Sequence, residues 1–195
     1  MVTWAYVGLL ACVVVQRLLE VRVSKRHEAA LKARGASEHA AAQMPWMVAL
    51  HASWLACCLL EVWFFQRPFR LWLGVLSLLV FALGQVLRLL AISALGERWT
   101  VKIITLPGAP AVSHGIFRYL RHPNYLGVIL EIAALPLVHG AWLTALVFSL
   151  ANGVLLYARI RAEEQALRDT GDYRERFANK SRFLPWRPQE AHERS

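Results

Sequence analysis

The sequence predicts an all-α integral membrane protein with about five transmembrane helices, a helical hairpin formed by spans 4 and 5, and a cytoplasmic amphipathic C-terminal tail. Hydrophobic residues make up 57% of the 195 residues, whereas about 45–50% is typical of soluble domains. The net charge of +9 comes from cations between and after the apolar runs, where membrane topology and anionic lipid headgroups account for them. We therefore expect no binding to nucleic acid.

The apolar runs give the positions of the spans, since about 20 apolar residues cross a bilayer as one helix. Spans are predicted at residues 3–23, 45–65, 71–95, 124–138 and 141–160. Residues 1–95 then form a three-span scaffold within a single membrane domain that covers residues 1–195. The first run lacks a basic leader and a small-residue cleavage site, so we expect it to remain as a membrane helix rather than to be removed as a signal peptide.

Two of the segments between spans are polar and long. Residues 22–44 hold five Lys/Arg and an alanine-rich tract, which predicts a short amphipathic helix or a helical hairpin on the membrane surface. Residues 96–113 contain Pro107, Gly108 and Pro110, which predict an irregular connector.

The distribution of cations predicts the orientation. Lys/Arg number five in residues 22–44, four in 96–123 and nine from 159 onward, against two in 66–70 and none in the turn between spans 4 and 5. With five spans the cation-rich segments share one side, which the positive-inside rule assigns to the cytoplasm. We predict an N-out/C-in protein of the bacterial inner membrane, with its active site facing the cytoplasm.

Several polar groups fall inside or beside the predicted spans, and the sequence assigns them no role: Arg17, Glu20, His51, Glu61, Arg88 and Glu131. Arg17 and Glu20 are three residues apart and can pair inside a bundle. The three cysteines lie in apolar runs without a CxxC or a Cys/His spacing. Neither a disulfide framework nor a metal site is therefore expected.

Dense polar chemistry interrupts the apolar sequence at residues 113–131, SHGIFRYLRHPNYLGVILE. Arg118 and Arg121 are three residues apart, as on one face of a helix. Pro123 removes a backbone donor just before an apolar run resumes. Taken alone, this stretch could be an ordinary charged loop that closes a helix.

A second polar cluster, RIRAEE, stands at the end of the fifth span. Arg159 and Glu163 lie on one helical face, and a surface ion pair, typically worth less than about 1 kcal/mol, would account for them alone. The short turn between spans 4 and 5, however, brings His122, Asn124 and Tyr125 beside this helix end. A carboxylate, an arginine, an imidazole and a phenol can then converge at the membrane surface, which suits a polar cofactor meeting a lipid-like substrate.

These motifs carry a family resemblance. RHPNYLG at 121–127, Glu131, the RIRAEE helix end and GDYRERF at 171–177 resemble the isoprenylcysteine carboxyl methyltransferase family of membrane enzymes, which use S-adenosylmethionine. The resemblance is strongest over residues 96–186, a region we expect to be the cofactor-binding methyltransferase core. The segment ending near Glu20, with the GASEH and MVALH stretches, is similar to small bacterial members, some of which are thought to methylate hydroxyls of alkylpyrone-type polyketides.

The resemblance implies site residues position by position. The implied cofactor-binding residues are Lys102, Ala109, Pro110, Ala111, Val112, Phe117, His122, Pro123, Asn124, Tyr125 and Glu163. It also implies that Arg159 faces the substrate, so Arg159 and Glu163 are the candidate catalytic residues. The chain departs from the eukaryotic pattern at Lys102, where an amide is familiar, and in its fewer spans. Both departures leave the prenyl-cysteine acceptor open.

Methyl transfer from a sulfonium is an in-line displacement, so catalysis depends mainly on holding the reacting atoms in line. A carboxylate or an acidic enol is already ionised near neutral pH and needs no general base. Arg159 could orient that oxyanion through a bidentate contact, and Glu163 could hold a polar group of the cofactor. His122 is available as a base for a less acidic hydroxyl. The expected activity is O-methylation of an isoprenylcysteine-type carboxyl or an alkylpyrone-type hydroxyl at the membrane.

Two alternatives remain at this point. Membrane sterol reductases resemble this family in their C-terminal half and bind NADPH, whose phosphates could meet Lys102, Arg118, Arg121 and Arg161. The chain could also be a non-catalytic membrane protein whose polar groups stabilise the bundle. The expected partners are a lipophilic small-molecule or prenylated substrate and membrane lipid, and no obligate protein partner is evident.

Overall fold

The computed structural model describes residues 2–178 and 180–184. Its helices and strands, in chain order, are α1 (Val2–Ala33), β1 (Ser37–His39), α2 (Met44–Phe64), α3 (Leu71–Leu95), β2 (Ile103–Thr105), α4 (Pro123–Leu137), α5 (Trp142–Thr170) and α6 (Tyr173–Phe177). The all-α membrane class is confirmed. The end of the expected C-terminal tail, residues 185–195, lies outside the described residues.

Within the described ranges, four helices are long and apolar enough to cross a membrane, namely α1, α2, α3 and α5. The fifth expected span, α4, has 15 residues and is therefore about 22 Å long, whereas the hydrocarbon core of a bilayer is about 30 Å thick. Most of α4 is buried among its neighbours. It is a core helix of the bundle, and the count of five spans stays a prediction.

Helices α3 and α4 meet at two glycines. A Cβ on Gly127 would lie 2.6 Å from the carbonyl oxygen of Gly84, and a Cβ on Gly84 would lie 2.9 Å from the carbonyl oxygen of Gly127. Any side chain at either position would push the two backbones apart. This close approach fixes the depth at which α4, and the RHPNY motif at its start, sits in the bundle.

Proline inside α4 produces a contact with α2. Pro136 has no N–H to offer the carbonyl of Ile132, four residues earlier. That carbonyl instead accepts a hydrogen bond from the indole Nε1 of the buried Trp54, at 3.2 Å. The core of the bundle is built around this contact, with Ile132, Leu135 and Cys58 almost completely buried.

The start of α5 is fixed by Glu61 of α2. The Glu61 carboxylate accepts hydrogen bonds from the backbone N–H groups of Leu143, at 3.2 Å, and Thr144, at 2.6 Å. It also accepts one from Nε of Arg67, at 3.0 Å. The first N–H groups of a helix have no partner within the helix, so Glu61 satisfies two of them. Its role is to anchor the α4–α5 hairpin.

Two predictions for the segments between spans are wrong. Residues 22–44 do not form a separate surface helix, because α1 continues without a break to Ala33 and nothing in its sequence interrupts the helix before Gly35. The connector at 96–113 is not wholly irregular. Its strand β2 pairs antiparallel with β1, with Ser37 opposite Thr105 and His39 opposite Ile103.

Candidate active site

The start of α4 and the end of α5 lie side by side, as the hairpin predicts. The Tyr125 hydroxyl donates a hydrogen bond to the Glu163 carboxylate. Nε of Arg159 donates to the Tyr125 oxygen at 3.1 Å. The phenol therefore joins the arginine and the carboxylate, which belong to one helix face but form no direct ion pair with each other in the described structure.

Arg159 is a buried cation with only neutral partners. Its side chain is almost enclosed, with 6% of the residue exposed. One Nη donates to the backbone carbonyl of Val101, and Nε donates to Tyr125. Within the described ranges no carboxylate lies within ion-pair distance of its guanidinium. A buried charge without a counter-ion is costly, so this position favours an anion as ligand.

A cavity of about 830 Å³ passes these residues. At one end it is lined by the connector, α4 and α6, and residues there include Ala111, Val112, Phe117, His122, Tyr173 and Phe177. We call this the polar end. The rest runs between α1 and α2 and is lined by apolar side chains that include Val7, Ala11, Val14, Leu18, Val48, Ala52, Leu55 and Ala56. We call this the apolar limb.

Most of the residues implied by the resemblance line this cavity. They are Lys102, Ala111, Val112, Phe117, His122, Pro123, Asn124, Tyr125, Arg159 and Glu163. Ala109 and Pro110 are not among the lining residues that the structure describes. The Pro110 carbonyl accepts a hydrogen bond from Arg98 at 2.7 Å, and Pro110 is exposed.

Lys102 lines the cavity but is already paired. Its ammonium lies 2.8 Å from the Glu28 carboxylate and 3.1 Å from that of Glu38. The hydrogen bonds that Lys102 donates to these two carboxylates raise its pKa. The lysine is therefore charged and compensated by the protein, and it joins the end of α1 to the β1–β2 ribbon.

The His122 ring is occupied on one side. Its Nε2 lies 3.1 Å from the buried carboxylate of Glu164, next to Glu163 in the chain. A carboxylate in contact with arginines is ionised and only accepts hydrogen bonds, so Nε2 carries the proton and donates. The expected role of His122 as a base is therefore not available through this nitrogen.

Comparisons with known proteins agree with this arrangement. The chain is 36% identical to the uncharacterized protein YpbQ of Bacillus subtilis (strain 168), over 83% of this chain and 95% of that protein. It is 33% identical to an uncharacterized protein of Haemophilus influenzae, over 80% of this chain and 91% of that protein. A model of the isoprenylcysteine carboxyl methyltransferase (ICMT) family matches residues 75–169, which contain the hairpin and both polar clusters. The chain belongs to the ICMT family.

A solved ICMT structure shares part of the fold. The eukaryotic intramembrane Ras methyltransferase ICMT matches with a TM-score of 0.51 and 25% sequence identity, over 65% of this chain. This chain covers 46% of the solved one, somewhat less than half of its length. This chain thus shares a helical membrane core with part of a larger eukaryotic enzyme.

The sequence assigned no role to one cluster of charged residues beside the cavity, namely Arg17, Glu20, Arg88 and Glu131. Arg17 pairs with Glu20 at 2.8 Å within α1, and both reach the bundle, where Arg17 contacts Glu131 and Glu20 contacts Arg88. Nε of Arg88 lies 3.3 Å from Glu131. These four residues hold α1 against α3 and α4. The i, i+3 spacing signalled the pair in α1, but nothing local signalled its partners.

The aromatic wall formed by α6 was also missed. Tyr173 and Phe177 stack at 4.8 Å between ring centroids, and both are buried against Phe117 at the polar end of the cavity. The motif GDYRERF contains both rings, but its charges suggested only a surface tail.

Proposed function

We propose that this protein is an S-adenosylmethionine-dependent O-methyltransferase that acts at the membrane on an anionic oxygen of a lipophilic acceptor. Family membership supports methyl transfer by a membrane enzyme. The observation that carries the rest of the proposal is Arg159, a buried guanidinium that lines the cavity beside Tyr125 and has no carboxylate partner in the described structure.

The charge of Arg159 supports an anionic acceptor. A guanidinium offers a planar fork that matches a carboxylate and makes stronger hydrogen bonds to it than to a neutral oxygen. An isoprenylcysteine-type carboxylate and an ionised alkylpyrone-type hydroxyl both present such an oxyanion near neutral pH. Neither needs a base, which agrees with the occupied Nε2 of His122.

The residues of the polar end fit S-adenosylmethionine. The buried Oδ1 of Asn124 has no hydrogen-bond partner among the described residues and can accept from a ligand donor. The Glu163 carboxylate accepts from the Tyr125 hydroxyl and retains lone pairs for a ribose or ammonium group. Phe117, Tyr173 and Phe177 supply aromatic surface for a purine. When bound, this cofactor supplies a methyl group on a positively charged sulfur.

The chain's own residues then orient the acceptor and exclude water. Arg159 holds the acceptor oxygen through N–H groups that now meet only neutral oxygens. Tyr125 fixes the guanidinium from α4, and Val101 fixes it from the connector. Because the two fixed points come from separate elements, the guanidinium has little freedom to turn, and positioning of this kind contributes much of the rate in a displacement reaction.

The apolar limb supports a lipophilic tail on the acceptor. From Val7 to Leu18 it follows α1 for about 16 Å, at 1.5 Å per residue. Its lining is apolar on both α1 and α2, except at His51 and at the cluster that includes Arg17 and Glu20. A hydrocarbon chain lying there gains about 25 cal/mol for each Å² of apolar surface removed from water.

The orientation proposal rests on the cations. The long α1 carries Lys25, Arg26 and Lys32 on its last turns, at the same end of the bundle as the RHPNY motif. An N-out/C-in arrangement in a bacterial inner membrane would put this end in the cytoplasm, where the cofactor is made. A C-terminal reporter that is active only in the cytoplasm should be active, and an inactive reporter would reverse the orientation.

The function is tested with three acceptors that carry the same long tail. A carboxylate, an ionisable pyrone hydroxyl and a primary alcohol are each incubated with the purified protein and S-adenosylmethionine labelled in its methyl group. We expect label in one or both anionic acceptors and none in the alcohol. Equal labelling of the alcohol would contradict the role of Arg159, and no labelling of any acceptor by folded protein would contradict the proposed activity.

A further inference from the structure

Glu164 lies at the meeting point of three separate segments. Its side chain is 2% exposed, near the end of α5. Its neighbour Glu163 lines the cavity and contacts Tyr125, whereas Glu164 lies about 100° further round the helix and is not among the described lining residues. There it contacts the His122 ring at 3.1 Å and the Arg182 guanidinium, with both oxygens accepting at 2.8 Å.

The contact with Arg182 is reinforced by the backbone. The N–H of Arg121 donates to the Ser181 carbonyl at 3.1 Å, and the N–H of His122 donates to the Arg182 carbonyl at 3.2 Å. Lys180 donates to the Phe117 carbonyl at 3.0 Å. Residues 180–184 therefore form a strap, a short segment that runs along the RHPNY turn and is bound to it by main chain and side chains.

The strap begins where the aromatic wall ends. Tyr173 and Phe177 of α6 form that wall, and only three residues separate Phe177 from Ser181. Holding the strap in place therefore holds both rings against the polar end of the cavity. Glu164 also holds a second part of the polar end in place. It accepts a hydrogen bond from the His122 imidazole, and His122 lines the cavity.

We propose that Glu164 is a positioning residue for the cofactor, acting through His122 and through the Arg182 strap. This inference rests on the proposed function. A single buried carboxylate fixes the tautomer of His122 with the proton on Nε2, which leaves Nδ1 as the ring atom that can accept from a ligand. The same carboxylate closes the α6 wall through a bidentate contact with Arg182, a geometry specific to arginine.

The test compares Glu164→Gln with Asp169→Asn, a matched loss of one carboxylate on the same helix. Asp169 is exposed and contacts only the Gln165 amide in the described structure. We expect Glu164→Gln to weaken binding of S-adenosylhomocysteine at least tenfold and to raise KM for S-adenosylmethionine, with KM for the acceptor unchanged. Asp169→Asn should stay within twofold of the parent protein in all three. Unchanged affinity in Glu164→Gln overturns the proposal.

A second variant separates positioning from folding. Arg182→Gln removes only the strap contact, and we expect it to weaken binding less than Glu164→Gln does. The double variant should be no weaker than Glu164→Gln alone, since Glu164→Gln already breaks the contact that Arg182→Gln removes. Additive losses would overturn the shared role.

Proteolysis keeps this test independent of the proposed function. Trypsin should cut after Lys180 and Arg182 faster in Glu164→Gln than in the parent protein, with or without ligand. Equal rates would overturn the strap. If the parent protein binds no S-adenosylhomocysteine but the cleavage rates differ as expected, the proposed cofactor is wrong and the strap remains.

Discussion

Arg159 of α5 donates a hydrogen bond from Nε to the hydroxyl oxygen of Tyr125 of α4, at 3.1 Å, inside the cavity wall. The guanidinium of α5 is thereby held in place by a residue of α4, and no described carboxylate compensates its charge. We expect Arg159→Lys, which keeps the charge and loses the fork, to lower kcat/KM for an anionic acceptor. A charged hydrogen bond of about 1.5–3 kcal/mol corresponds to roughly a 10- to 100-fold loss.

The control for Arg159 stands two residues along the same helix. Arg161 contacts only Tyr157 in the described structure, through the hydroxyl at 2.8 Å and the face of the ring, on the exposed side. Arg161→Lys should leave kcat/KM within twofold of the parent value. Equal losses in both variants would show that the effect does not come from the guanidinium fork of Arg159.

Glu163 should matter for the cofactor rather than for folding. It is half-buried at a helix end, and its described partner is the Tyr125 hydroxyl. We expect Glu163→Gln to weaken S-adenosylhomocysteine binding at least tenfold in calorimetry, because a neutral amide replaces a charged acceptor. The melting temperature should change little. Glu175→Gln, at an exposed position of α6, is the control, and retained affinity in Glu163→Gln would remove this residue from the site.

The apolar limb should select acceptors by the length of their tail. Ala52 lines the limb, whereas Ala49, one turn earlier on α2, does not. We expect Ala52→Trp to raise KM for a long-tailed acceptor and to spare one whose tail is only a few carbons long. Ala49→Trp should behave as the parent protein does with both acceptors. Loss of activity with both tails in Ala52→Trp would point to a disturbed bundle instead.

Glu131 should be important for stability. It is 1% exposed and contacts Arg17 and Arg88 inside the bundle. Removing one member of a buried ion pair costs about 3–5 kcal/mol, because the remaining charge is left uncompensated. We expect Glu131→Gln to lower the melting temperature in detergent clearly. Glu28→Gln, at the surface pairs with Lys32 and Lys102, should cost at most about 1 kcal/mol, and equal shifts would contradict this ranking.

Protonation of Asp172 at low pH should loosen the aromatic wall formed by α6. Its carboxylate accepts the Ala111 N–H at 2.7 Å and pairs with Arg176. These contacts hold the pKa of Asp172 below its usual value. The stabilisation is therefore complete above the ordinary carboxyl range and is lost as pH falls through the lowered pKa of the folded state.

Tryptic cleavage cannot follow that change in acid, so hydrogen exchange of the α6 amides is the measurement. From about pH 7 to about pH 3, spanning the usual aspartate pKa, protection corrected for intrinsic exchange should fall in the parent protein. In Asp172→Asn we expect lower protection at neutral pH and a smaller change with pH. An identical pH profile in both proteins would exclude Asp172 as the cause.

The contact of Tyr125 with Arg159 could be foreseen because the turn at residues 138–141 is too short for any arrangement but an antiparallel hairpin. Two ends of consecutive helices must then meet. The length of α1 could not be foreseen, because a charged alanine-rich tract forms a helix equally well on the membrane surface or as the continuation of a span. Contacts between residues far apart in the sequence, such as that of Lys102 with Glu28, decide between these two structures.

The ion cluster around Glu131 shows the same limit. Sequence spacing identifies partners on one helix, and Arg17 with Glu20 is such a pair. Which of the remaining charges completes the cluster depends on how α1, α3 and α4 pack, and the glycine contact between Gly84 and Gly127 that sets this packing has no local signature. Glu164 was hidden for a related reason, since its main partner, Arg182, lies 18 residues further on.

The most direct test of the account is calorimetric titration of the detergent-purified protein with S-adenosylhomocysteine, with NADPH titrated in parallel. We expect saturable binding of S-adenosylhomocysteine alone, reduced at least tenfold in Glu163→Gln. Binding of NADPH alone would make the protein a reductase. Binding of neither by folded protein would favour a membrane protein without catalytic activity, and either result would contradict the cofactor site described above.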